Sequence, residues 1–340
     1  MILPKAKFPK PTPKLPFGLD PWPAESGHFH AMIELEIETA LRHTVTTMMK
    51  IDVQLISALL NAQLPAWSDL PIEALSSEGT DNAVFRIGSD LVARLPKVEW
   101  AAGQPAREHQ WLSFLASKLP LEIPASIVLG LPGFGYPWHW SVHSWSSGKS
   151  ATRVDLENPA AAERLAGFLA AMRAINASGG PESGAENSQR GVPLTERDAS
   201  VRRALEELHD EPGIAAATAV WDDALSAPAC CSEPVWLHGD LQPTNLIMRH
   251  GQLAAVIDFG LMGVGDPACD LMAGWTCFGR VSRRIFLSAT KADEATVRRG
   301  RGWAVSTALI ALAYYRHTNP VMAQTSRSTM AEVVCDFKLR

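Results

Sequence analysis

Between Trp236 and Leu271 the chain reads WLHGDLQPTNLIMRHGQLAAVIDFGLMGVGDPACDL, and this stretch constrains the fold more than any other. Asp240, Asn245 five residues on and Asp258 thirteen beyond that form an ordered polar triplet, each beside an apolar run. Pro234 to Leu237 and Leu253 to Ile257 are rich in Val, Ile and Leu, and are predicted as two strands joined through a turn at His250 and Gly251. That arrangement sets both aspartates at strand ends. An isolated HGD or DFG is ordinarily a turn; an asparagine between two such aspartates, in this order, is not explained by turns.

The residue types fit one chemistry. Moving a γ-phosphoryl group leaves a protein little covalent work, so catalysis reduces to positioning the acceptor and neutralising phosphate charge with magnesium. Magnesium prefers oxygen ligands and keeps several waters, so a carboxylate and an amide oxygen suffice beside a nucleotide. Asp258 and Asn245 are the candidate Mg2+ ligands. Asp240 is the candidate base that accepts or orients the proton of an attacking hydroxyl, and His238 is counted with it as the group that holds it.

HGDLQPTN followed by IDFG and GDPACDL resembles the aminoglycoside and macrolide phosphotransferase family, small-molecule kinases related to the protein kinases, from about Met49 to the C-terminus. The resemblance implies an α+β, protein-kinase-like bilobal fold: an N-lobe with a small antiparallel sheet over residues 48–145 and a larger, mostly helical C-lobe over 146–340. It implies ATP or GTP as donor, Asp240 as the catalytic aspartate, Asn245 and Asp258 as magnesium ligands, and Asp266 and Asp270 as braces of the catalytic loop. Gly239 stands where a regulated protein kinase has an arginine, so a phosphate-operated switch is missing. Only five residues separate Gly260 from Asp266, with no APE sequence, so no protein substrate is expected.

The nucleotide end is written more sparsely. Ser77 to Arg86, followed by Asp90 to Pro96, reads as strand, turn, strand, strand, with Gly79, Thr80, Asp81 and Asn82 at a tip whose backbone N–H groups would cradle phosphate. Arg94 occupies the place of the lysine that pairs with the α- and β-phosphates in protein kinases. Arginine keeps the charge but changes its geometry. Glu108, one turn ahead of Leu112 on a helix predicted over Ala106 to Leu119, is its natural partner. Pro137 to Gly148 matches the interlobe hinge, where backbone groups of Val142, His143 and Ser144 would meet the adenine edge. The GLMGVG run at Gly260 lacks the order of a dinucleotide loop.

Lys plus Arg number 31 against 36 acids, a net charge of −5 that argues against a nucleic-acid-binding surface. The late apolar run Ala304 to Tyr315 is too short to span a bilayer and reads as a core helix. Five cysteines in no zinc pattern fit a reducing cytoplasm. The first 47 residues, Pro-rich with Lys5, Lys7, Lys10 and Lys14 near the start, read as an extension that is partly disordered. A helix-like patch runs over Ala31–Met48, and translation is expected to begin at Met48 or Met49; a native mass beginning at Met1 would refute that.

In the later half, Asn158 to Ile175 is predicted helical, Asn176 to Pro193 a loop, and Thr195 with Asp198 a capping pair before a helix through His209. Glu206, Glu207, Asp210, Glu211, Asp222 and Asp223 cluster there, either to attract ammonium groups or simply as solvated helix faces. The expected function is O-phosphorylation of a small hydroxylated acceptor, an aminoglycoside first and a macrolide next. Two rivals stand beside it: a kinase of a metabolic small molecule of the homoserine, fructosamine or choline type, and a nucleotide-binding pseudoenzyme.

Overall fold

Asp52 caps a helix by accepting a hydrogen bond from the Leu55 N–H (3.0 Å), and α1 then runs Val53–Gln63. In this computed structural model the described residues are 50–75 and 81–339. Expectations for the first 47 residues, for a helix over Ala31–Met48 and for Gly79 and Thr80 therefore lie outside the described residues.

Ile56, Leu59 and Leu60 fall on one side of α1 and are fully buried. They pack in one cluster with residues of a five-stranded antiparallel sheet ordered β1-β2-β3-β5-β4, where β1 is Ile72–Leu75, β2 Asn82–Ile87, β3 Leu91–Pro96, β4 Ser126–Gly130 and β5 Trp140–Ser144. Phe85 pairs with Ala93 and Ala93 with Val142, so one row of side chains crosses three strands toward the core. The two-residue period then puts Arg94, Ser141 and His143 on the opposite face. That face meets α2, Gln104–Ala116, through Glu108.

The C-lobe is built from helices around two small sheets. The helices are α3 (Arg153–Leu156), α4 (Pro159–Ala174), α5 (Asp198–Glu207), α6 (Ile214–Leu225), α7 (Ala273–Thr276), α8 (Arg280–Thr290), α9 (Glu294–Tyr315) and α10 (Pro320–Lys338). Pro159 suits the first position of α4, where its missing N–H is not needed, and Asn158 caps the Ala160 N–H at 3.0 Å. Leu165, Phe168, Leu169 and Met172 of α4 share a core with Trp236, Leu246, Val256 and Phe259. A second core joins Trp221, Trp275 and Trp303, and places Ala304 to Leu312 of α9 among buried neighbours. No described helix is long and apolar enough to cross a membrane.

Two expectations are corrected. The turn at His250 and Gly251 does not join Pro234–Leu237 to Leu253–Ile257. It links β8, Leu246–Arg249, to β9, Gln252–Val256, with β6, Lys149–Ser150, on the far side of β8. The strand at Pro234–Leu237 is β7, Val235–Leu237, and pairs with β10, Gly263–Gly265. A hairpin needs adjacent strands, and LIMR directly before His250 supplies the nearer one. Thr195 and Asp198 form no capping pair: α5 begins after a 3-10 turn, Leu194–Arg197, without a side-chain cap. The Asp198 carboxylate is taken instead by Trp221 Nε1 (2.7 Å) and Arg202 Nε (3.0 Å).

Candidate active site

Strand β7 delivers the chain into a loop that only glycine can turn. Gly239 has φ of +83°, and a Cβ there would sit 2.4 Å from the Leu261 carbonyl oxygen. Asp270 then holds the loop from below: its Oδ2 accepts from the His238 N–H and its Oδ1 from the Gly239 N–H, both at 2.8 Å. His238 is fully buried. A carbonyl can only accept, so the 3.0 Å contact to Ile257 O assigns the proton to Nε2, which leaves Nδ1 to accept from the Asp240 N–H at 3.2 Å. The ring stands edge-on to Phe259 with centroids 4.6 Å apart. This corrects its grouping with the catalytic residues: a buried ring spent on Ile257 and Asp240 positions the loop and does not touch substrate.

Asp240 is partly exposed, and each of its oxygens has a different neighbour. Oδ2 accepts from Asn245 Nδ2 and Gln242 Nε2, both at 3.1 Å, while Oδ1 lies 3.8 Å from Arg190 Nη2. Burial pushes its carboxyl up from the ordinary carboxylate range, and the Arg190 charge opposes that. Asn245 also donates to Asp240 O (2.8 Å), and its own carbonyl accepts from the Ile257 N–H at 2.9 Å, which brings the residue next to Asp258. Asp258 has φ of +65°, a left-handed conformation that Asp tolerates better than most residues. Burial would raise its carboxyl, but Arg94 beside it outweighs this and holds it low.

Arg94 bridges the two lobes. Its Nη1 donates to Glu108 Oε1 at 2.7 Å and its Nη2 to Asp258 Oδ1 at 2.6 Å. Burial works against its charge, yet the two carboxylates keep it protonated more firmly than a free arginine. Burial pushes Glu108 up while Arg94 opposes it.

The expected adenine contacts need correction. Val142, His143 and Ser144 lie within β5, where Val142 and His143 pair with both β3 and β4 and Ser144 pairs with Leu91 of β3. The Ser144 N–H goes to Ala125 O (2.9 Å) and the Trp145 N–H to Asp90 O (2.7 Å). The His143 ring is buried, with Nε2 2.8 Å from Ser141 Oγ and 3.7 Å from Glu108 Oε2. The next residue along is Ser146, whose buried Oγ has no hydrogen-bond partner among the described residues.

His143 carries a pH prediction. Burial, with the Arg94 charge second, lowers its pKa to about 3. Between that value and its ordinary one the unfolded chain binds a proton that the folded chain refuses, so stability rises with pH there and is complete above the unfolded pKa. Lowering the pH from 6.5 should cost up to roughly 1.4 kcal/mol per unit from this residue. Urea unfolding of wild type and His143→Gln at pH 7.5 and 5.5 measures it: the variant should show the shallower pH dependence, and equal slopes would remove His143 as the cause.

Asp266 does not brace the catalytic loop. It is buried, holds Arg299 of α9 through two bonds (2.7 and 3.2 Å) and caps the Ala268 N–H (2.9 Å), so it ties the loop after the DFG segment to the helical core. The clustered acids are largely paired: Asp210 with Arg316, Glu211 with Arg327, Asp222 with Arg202 and Asp223 with Arg298. Three arginines near the site were not foreseen. Arg107 donates to Gly260 O (3.2 Å) and Glu186 O (3.0 Å), joining α2 to the loops of the C-lobe. Arg190 and Arg197 come from a segment read only as loop and helix start, where no spacing marks them.

The model of the Phosphotransferase enzyme family matches residues 72–305. The chain belongs to this family. An aminoglycoside 3'-phosphotransferase of Escherichia coli is 29% identical over 158 residues, which are 43% of this chain and 57% of that protein. The chain thus spans little more than half the length of that curated relative. Among solved structures, the GDP and kanamycin complex of the phosphotransferase APH(2")-IIia superposes with a TM-score of 0.65 at 19% identity, over 83% of this chain and 99% of that one. The macrolide 2'-phosphotransferase MphH from Brachybacterium faecium gives 0.55 at 19% identity, over 82% and 97%. These likenesses establish the bilobal phosphotransferase fold.

Proposed function

We propose that this phosphotransferase moves the γ-phosphoryl group of ATP or GTP, with Mg2+, to a hydroxyl of a small molecule. The observation that carries the reading is the braced loop: Asp270 fixes His238 and Gly239, and the loop sets Asp240 on Asn245, which is bonded to the residue before Asp258. Asn245 and Asp258 fit a magnesium ion, being hard oxygen donors; the Asp258 side chain is 45% exposed, and no described hydrogen bond occupies Asn245 Oδ1. Bound there, the ion would neutralise charge developing on the phosphate oxygens. Asp240 takes the proton of the acceptor hydroxyl as its oxygen bonds to phosphorus, and the bond from phosphorus to the nucleoside diphosphate breaks. Arg94 supports the phosphates, held in reach by Glu108. Ser146 replaces Val142–Ser144 as the hinge contact.

The names of the relatives put aminoglycosides first among acceptors. A hydroxylated metabolite is the second reading, favoured by the arginines already paired with the acids that ammonium groups would need. The test is nucleotide consumption by purified protein with magnesium and ATP or GTP across aminoglycosides, macrolides and small metabolic alcohols. Acceptor-dependent turnover is expected. Asp258→Ala should weaken magnesium-nucleotide binding by about tenfold or more, as loss of a charged ligand implies; unchanged affinity by calorimetry would remove Asp258 as a ligand. Five free cysteines suit a cytoplasmic setting.

A further inference from the structure

Six arginines among the described residues are buried: Arg107, Arg190, Arg197, Arg283, Arg299 and Arg301. Four have a close carboxylate, namely Glu186 for Arg107 (3.1 Å), Glu332 for Arg283 (2.9 Å), Asp266 for Arg299 (2.7 Å) and Asp336 for Arg301 (3.2 Å). Arg197 has no carboxylate partner among the described residues. Arg190 has only Asp240, at 3.8 Å.

Neutral groups hold the pair instead. Arg190 Nη1 donates to Thr307 Oγ1 (2.8 Å), and its buried Nε has no partner. Arg197 lies over the Trp303 ring at 4.6 Å and donates weakly to Ser306 Oγ (3.3 Å) and Ser188 O (3.4 Å). Ser306 and Thr307 are consecutive on α9, so the two guanidinium groups are neighbours. Burial first, and then the Arg190 charge, bring the Arg197 pKa down to about 9. The Cys269 thiol beside them is pushed up by burial and stays neutral, so it is no counter-ion. Two buried cations that share a single carboxylate at 3.8 Å are costly, because hydroxyls do not replace the lost hydration.

Their place relative to Asp240 gives the pair a use. Asp240 Oδ2 faces Asn245, on the metal side, and Oδ1 faces Arg190. Arg190 therefore meets Asp240 through the oxygen that Asn245 leaves free, and Arg197 stands behind Arg190, next to it along α9. We infer that Arg190 and Arg197 form an anion subsite of the acceptor cleft, and that the acceptor is a small hydroxy compound carrying a carboxylate or a phosphate. A guanidinium offers forked donors that match either group. The inference rests on the phosphoryl-transfer reading and favours its second acceptor, a hydroxylated metabolite, over aminoglycosides by giving that metabolite an anionic group.

The test begins without turnover. The full chain, with its nucleotide site filled by Mg-ADP, is melted while titrated with inorganic phosphate and, separately, with glycolate. At least one anion should raise the wild-type Tm saturably, phosphate marking a phosphorylated acceptor and glycolate a hydroxy acid. Arg197→Met should lose that rise while melting no lower than wild type in anion-poor buffer, since it removes an uncompensated buried charge; a merely structural arginine would give the reverse. Arg197→Lys, which keeps charge but not the fork, should weaken the anion about 10- to 100-fold. An unresponsive wild type, or an equal rise in Arg197→Met, overturns the subsite. In turnover, hydroxy acids should show lower KM than their amides. Aminoglycosides or amides consumed while the acids are idle would overturn the inference and leave the phosphotransferase; no turnover with any acceptor would overturn the phosphotransferase reading, with the melting result standing apart.

Discussion

Replacing Asp240 by asparagine should lower turnover by about 10²- to 10⁴-fold, the range that a positioned general base supplies. The substitution keeps the side chain's shape and removes its charge and proton affinity. The expected defect is in kcat, because the residues offered to the metal are others: Asn245 keeps its bond to the Asp240 backbone carbonyl (2.8 Å), and Asp258 is held by Arg94. Magnesium-nucleotide affinity should therefore stay within a few-fold of wild type. Single-turnover kinetics with calorimetric nucleotide titration separates the two quantities. Undiminished turnover would strip Asp240 of its role, and if the wild type itself turned over no acceptor while binding nucleotide, the pseudoenzyme would become the better reading.

Asp270 should prove as important to the fold as Asp240 is to the chemistry. Its two oxygens take the His238 and Gly239 N–H groups at 2.8 Å in a fully enclosed position. Asp270→Ala leaves two buried donors without acceptors, at roughly 1–3 kcal/mol each, so a loss of about 2–6 kcal/mol is expected. Asp270→Asn keeps one acceptor oxygen and should fall between. Chemical denaturation gives the order, and activity should drop in parallel, since the loop that aims Asp240 is the part released. An alanine variant as stable as wild type would show that the loop is held by something other than these bonds.

Much of the site was legible because its chemistry is local in sequence. Asp240 and Asn245 are five residues apart on one loop, and Asp258 follows after a single hairpin, so order and spacing alone bring them near. The partner of Arg94 was also readable, since the strand of Arg94 and the helix of Glu108 are successive elements. The hairpin was misassigned for a similar local reason: LIMR was absorbed into the loop, and its strand character shows only once β9 pairs with it. The failure at Val142–Ser144 has another source. Apolar-to-polar change located the end of a strand, but which backbone groups remain free depends on both neighbouring strands, and β3 and β4 occupy them.

The sequence by itself determined the family and the ordered block of Asp240, Asn245 and Asp258, because these residues lie so close along the chain that one loop and one hairpin bring them together. It also contained the need for Gly239, though the reason, the Leu261 carbonyl at the place of a Cβ, lies 22 residues away. Only the tertiary structure decided which charges meet. Asp266 was drawn to Arg299, Asp198 to Trp221, Asp210 and Glu211 to Arg316 and Arg327, and Asp223 of α6 to Arg298 of α9. Arg190 was left with Asp240 at 3.8 Å, and Arg197 with no carboxylate among the described residues. Coulomb energy depends on distance and on the surrounding dielectric, and neither is written in a chain until it folds.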